Sequence, residues 1–132
     1  MKFPLNALQT AVYKDLHAAF PKWRIFDEAP QQPVYPYVVV GEVSAVDWRT
    51  KSEPGAILFL TLHFWSQYEG KREAAQMMND ALVVLTGDRS PDLGPDFHVV
   101  DRNFEAGDII IDLDGYTKHG LLRLRYLIEE RV

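Results

Sequence analysis

Between Ala56 and Ser66 the apolar residues fall into two alternating sets, Leu58, Leu60, Leu62 and Phe64 on one parity and Ile57, Phe59, Thr61, His63 and Trp65 on the other. A period of two predicts a strand, with the first set as its core face. The second set is too apolar for open water yet includes a threonine and a histidine, which predicts partial cover by a loop, a helix or another subunit. A strand with two such faces belongs in the middle of a sheet. Past a short polar turn, Ala74, Met77, Met78, Ala81, Leu82 and Leu85 recur at helical spacing, so this segment predicts an amphipathic helix lying on that sheet. Ser66 with Glu69 offers a capping box at the helix start, and Gly87 suits a left-handed cap at its end.

The remaining elements read as cover and neighbours for this pair. Leu5, Leu8, Val12, Leu16, Ala19 and Phe20 share one helical face, with Pro4 at the start and Pro21 at the stop. Trp23 to Asp27 predicts a short strand, and the prolines of APQQPVYP then impose an extended connection. Tyr37 to Ser44 is a β-branched, nearly continuous apolar strand in which Gly41 marks a bulge or a close backbone approach. DWRTKSEPG, from Asp47 to Gly55, has no periodicity and predicts a loop with one aromatic, Trp48. Phe97 to Asp112 predicts two strand segments separated or kinked near Asn103 to Gly107. A tight Asp114-Gly115 turn of type I′ then leads into a last strand ending near Glu130. In that strand Leu122, Leu124, Tyr126 and Ile128 form a core parity, while His119, Leu121, Arg123, Arg125 and Leu127 form a partly basic one. Helices falling between groups of strands, rather than after each strand, predict an α+β fold with a mostly antiparallel sheet and two main helices packed on it.

A length of 132 residues fits a single domain over 1–132. The absence of cysteine removes disulfides, a thiolate nucleophile and cysteine metal sites, and suits a reducing cytoplasm. The N-terminus is too polar for a signal peptide, and no apolar run approaches the roughly 20 residues of a membrane span. A net charge of −5 argues against a dedicated nucleic-acid binder, whose affinity comes mainly from neutralising phosphates.

Spacing identifies no catalytic, cofactor or metal residue. His63 and His98 have no HxH or HExxH companion, His17 is alone on the first helix, and no serine stands in a G-x-S-x-G context. The one place that suggests an ionisable cluster is His119 with Asp108, Asp112 and Asp114 across the last hairpin. Interface chemistry has better candidates. Trp48 among charges, with Arg49 and Lys51 beside it, has little local apolar surface to cover it, and Arg123 and Arg125 project together from the last strand. On residues alone a ligand- or peptide-binding module stays open, as does a small hydrolase or isomerase using the His119 region.

Three stretches carry a resemblance: PYVVVGE at Pro36 to Glu42, TLHFWSQYEG with KREA at Thr61 to Ala74, and DGYTKHGLLRLRYLIEE at Asp114 to Glu130. Together they resemble the small tail-completion proteins, or tail terminators, of long-tailed phages and prophages. The resemblance implies a non-enzymatic structural protein that acts as a six-fold ring at the head-proximal end of the tail tube. It also implies assembly in the bacterial cytoplasm, a place in the virion tail, and two partners besides other copies of the chain: the tail-tube protein and a head–tail connector. No cofactor, membrane or sequence-specific nucleic acid is implied.

Overall fold

A computed structural model of the chain describes residues 1–48 and 52–131. The elements run α1 (Leu5–Ala19), β1 (Ile25–Phe26), β2 (Tyr37–Asp47), β3 (Gly55–Ser66), α2 (Arg72–Leu85), β4 (Phe97–Ile111) and β5 (Lys118–Glu130). The strands form one sheet in the order β1-β2-β3-β5-β4. Only the short β1–β2 pairing is parallel, so the fold is α+β with a mixed, predominantly antiparallel sheet.

The alternation read from β3 is fully expressed. Its even positions from Ala56 to Ser66 are buried and its odd positions from Ile57 to Trp65 are half-buried. In register, Leu58 stands opposite Tyr126, Leu60 opposite Leu124 and Leu62 opposite Leu122, which fuses two core parities into one apolar floor. Leu8, Val12 and Leu16 of α1 and Met77, Ala81 and Leu85 of α2 lie on this floor. Met78 and Leu82, expected in the core, are half-buried at its margin. Both helices therefore cover one face of the sheet, and among the described residues no helix covers the other.

Several boundaries differ from expectation for local physical reasons. The expected Trp23–Asp27 strand shrinks to two residues because Trp23 stacks on Phe20, with ring centroids 3.9 Å apart. Strand β2 continues to Asp47, and the bulge expected at Gly41 appears as a register shift between Val40 and Val43. The two segments expected between Phe97 and Asp112 are one strand, β4. Its kinks are register shifts at Val99/Asp101 and Phe104/Ala106, each absorbed without breaking the ladder to β5.

The ends of α2 also depart from the expected caps. Ser66 forms no capping box with Glu69 and caps no helix amide; its hydroxyl donates to the side chain of Glu73 in the first turn and accepts from the Tyr68 amide. Gly87 is not left-handed, and Thr86 is the C-cap residue. Arg102, reaching over from β4, instead donates to the carbonyls of Leu85 (2.8 Å), Arg89 (2.7 Å) and Gly87. A guanidinium there satisfies the Leu85 carbonyl that the helix leaves open, with two carbonyls just beyond it, and complements the negative end of its dipole. The last hairpin has Asp114 and Gly115 in its turn, but only Gly115 has positive φ, so the turn is not type I′. Asp114 accepts instead from the amides of Tyr116 and Thr117 and from the Thr117 hydroxyl.

Candidate functional site

The functionally suggestive surface is the sheet face that the helices leave open. Along β3 it presents Ile57, Phe59, Thr61, His63 and Trp65, and along β5 His119, Leu121, Arg123, Arg125 and Leu127. Arg123 is exposed and lies over the Phe59 ring, 4.6 Å from its centroid. Arg125 is half-buried in register between Phe59 and Asn103, with its Nε enclosed. The two arginines do emerge together, as the parity predicted, but on an aromatic and aliphatic floor. Trp48 stands half-buried at the end of β2, its amide donating to the Gly55 carbonyl. Arg49 and Lys51 lie outside the described residues.

Toward the other end of this face two histidines meet across strands. His63 Nδ1 lies 2.7 Å from His119 Nε2, and His63 Nε2 lies 2.6 Å from Glu42 Oε1. A carboxylate only accepts, so the network assigns the proton on His63 to Nε2. His63 Nδ1 then accepts from the Nε2–H of His119. The Trp65 ring stacks on His119 at 3.8 Å, and Tyr37 stacks in turn on Trp65. Burial, reinforced by the neighbouring His63, holds His119 below the ordinary histidine value. Desolvation pulls Glu42 upward, but the bond from His63, a backbone bond and the two imidazoles outweigh it and hold the carboxyl below its usual range.

Sequence spacing gave no hint of this pair, because 56 residues separate His63 from His119 and only the β3–β5 register brings them together. The usable signal was Gly41. A Cβ there would stand 2.6 Å from His63 Cδ2 and 2.9 Å from the Thr61 carbonyl oxygen, so the bulge admits the imidazole only because residue 41 has no side chain. Of the carboxylates expected around His119, Asp112 acts on it electrostatically and Asp114 is engaged in its own turn. Asp108 lines a shallow hollow of about 310 Å³ with Glu42, Thr61, Ala106, Gly107, Leu121 and Arg123. Among the described residues no group of three or more His, Asp or Glu could hold a metal ion. No described helix is long and apolar enough to cross a membrane.

The outer edge of the sheet completes the surface. Strand β4 has a strand partner on one side only, and along it Phe104, Ile110 and Ile111 are 53%, 49% and 45% exposed. At the opposite edge β1 pairs with β2 only at Val38 and Val39. A small α+β subunit whose apolar residues escape the core along an edge strand and an open sheet face is built for assembly with other chains.

Comparison with known proteins gives that class its family. Residues 7–129 match the family model of the tail completion protein gp17, and the chain belongs to this family of structural, non-enzymatic phage tail proteins. It is 30% identical over 131 residues to the tail completion protein gp17 of Bacillus phage SPP1, covering 96% of both chains. The solved structure of bacteriophage SPP1 gp17 superposes with a TM-score of 0.61 at 25% identity, covering 92% of this chain and 88% of that one. A chain in the virion of the native gene transfer agent particle shares the fold more closely, with a TM-score of 0.82 at 20% identity over 98% and 99% of the two chains. The small hydrolase or isomerase left open by the residues is thereby set aside.

Proposed function

We propose that this chain, acting as one domain over residues 1–132, closes the head-proximal end of a phage or prophage tail tube as a six-membered ring and joins it to the head. It would assemble in the bacterial cytoplasm and remain in the virion tail, between the tail-tube protein and a head–tail connector. Membership of the tail completion family and likeness to a virion chain support the tail role.

The observation that carries the ring is the pair of unlike free edges. Successive antiparallel pairings from β2 through β3 and β5 to β4 leave β2 and β4 antiparallel to each other. The β4 edge of one copy can therefore extend the free part of the β2 edge of the next copy as an ordinary antiparallel ladder. A contact between two different surfaces is head-to-tail, and a fixed rotation at each step closes it into a ring. The half-exposed Phe104, Ile110 and Ile111 would be covered by this contact, whereas a monomer keeps an aggregation-prone edge in water.

Trp48, Arg49, Lys51, Arg123 and Arg125 are proposed as further contact residues, toward a neighbouring copy or the tail tube. Complementation of a phage lacking the gene tests them. Trp48→Ala and Arg123→Glu should leave a folded protein, the latter losing about 0.5–1 kcal/mol of stacking on Phe59. Both should give unjoined heads and tails in the electron microscope. Normal particle yield from both variants would overturn this assignment of the contact residues.

A further inference from the structure

On the open face, Glu42, His63 and His119 join three strands through side chains alone. Glu42 comes from β2, His63 from β3 and His119 from β5. The link is built rather than incidental: the Val40/Val43 bulge turns Glu42 toward His63, and Gly41 leaves the space that the His63 ring occupies. We propose that Glu42, His63 and His119 form a proton-linked brace, in which uptake of one proton per copy makes the open face less negative where it borders the β2 edge and strengthens docking of the next copy along that edge.

The hydrogen-bond order dictates where the proton goes. His63 spends its N–H on Glu42 and its other nitrogen on His119, so neither can take a proton without disturbing a bond. His119 spends only its Nε2–H, and its Nδ1 is the one ring nitrogen of the pair outside the chain of bonds. A proton entering at His119 Nδ1 therefore leaves the brace intact and converts its net charge from −1 to 0. The charged groups facing the pair are Glu42 from β2, Asp112 beyond the end of β4, and Asp108 and Arg123 at the adjoining hollow; the tyrosine and tryptophan rings close the other side. With three carboxylates against one guanidinium, the added proton offsets excess negative charge. Each copy carries a net −5, so the same proton lowers repulsion between neighbours in a ring. The docking half of the proposal rests on the ring reading above, while the brace itself does not.

Nitrogen-detected NMR titration of the full chain tests the brace. Above neutral pH both imidazoles should show the Nε2–H tautomer. On acidification His119 should gain its Nδ1 proton, and Glu42→Gln should move that midpoint to lower pH by removing the anion. Glu42 is largely exposed, so this variant keeps the fold. An Nδ1–H tautomer on His119 at high pH, or a midpoint indifferent to Glu42→Gln, would overturn the brace. The docking half is tested by adding purified protein to a gene-deleted lysate and counting joined particles across the titration. Linkage of one proton allows up to about a tenfold gain per pH unit for wild type. His119→Gln should lack that share of the gain. Equal pH dependence of the two would overturn the linkage, and failure of wild type to join particles at any pH would instead count against the ring reading.

Discussion

His119 is the residue whose protonation should be visible in stability. Its folded value lies below the ordinary 6.5, so in the interval between the two the unfolded chain binds more protons than the folded one. Stability from this site is complete above the ordinary value and is lost as pH falls through the folded one. Glu42, also depressed, contributes stability above the ordinary 4.5 and loses it lower down. Chemical denaturation across this range should show wild-type stability falling in the upper interval and His119→Gln flat there. A parallel fall in both would remove His119 as the cause. Glycine geometry gives a second test at this scale. A Cβ at Gly41 meets the fixed Thr61 carbonyl, whereas one at Gly120 meets chiefly the flexible Met78 side chain, its sulfur at 2.6 Å. Gly41→Ala should therefore cost about 1–3 kcal/mol by denaturant midpoint and Gly120→Ala clearly less. The reverse order would mean that the bulge relaxes freely. Gly41 was legible in the sequence as a bulge, but what it makes room for was not, because a contact between residues of different strands has no local pattern.

Elements were legible where a period repeats and obscure where one long-range side chain decides. The strands β3 and β5 and the two helices follow from alternation and helical stripes that burial alone enforces. Leu60, wholly buried opposite Leu124, should cost about 2–5 kcal/mol when cut to alanine, and an unchanged denaturant midpoint would contradict the shared floor. The end of α2 could not be read in the same way. Local rules pointed to Gly87, but Arg102 supplies the partners from 17 residues downstream of Leu85, and only the β4 register places it there. Arg102→Ala should lower stability by about 1.5–3 kcal/mol, the usual worth of hydrogen bonds to a charged group, and Arg102→Lys should recover only part. A thermal midpoint untouched by Arg102→Ala would return the cap to the helix itself. The expected break in β4 has a similar origin. Bulges at Val99/Asp101 and Phe104/Ala106 let a polar, glycine-containing stretch stay in the ladder, which sequence pattern alone reads as an interruption.

At the scale of the whole molecule, the chain exposes apolar residues along an edge strand and, among the described residues, leaves one sheet face without helices; in the proposed ring the next copy would cover the edge. The family and the class of role were legible through three strand-and-turn stretches, whereas the edge residues were not singled out. Phe104, Ile110 and Ile111 look like core residues in the sequence, and only the sheet order puts them at the rim. Ile110→Lys adds a charge to that edge and, at a half-exposed position, should change stability by no more than about 0.5 kcal/mol while reducing joined particles sharply. The most direct measurement is an electron cryomicroscopy map of the joint between head and tail in the assembled particle. The account predicts six copies of this chain in a closed ring at the head-proximal end of the tube, with β4 of each copy extending the free part of the β2 edge of its neighbour. Copies found away from that end, or a ring whose subunits meet without their sheet edges, would contradict it.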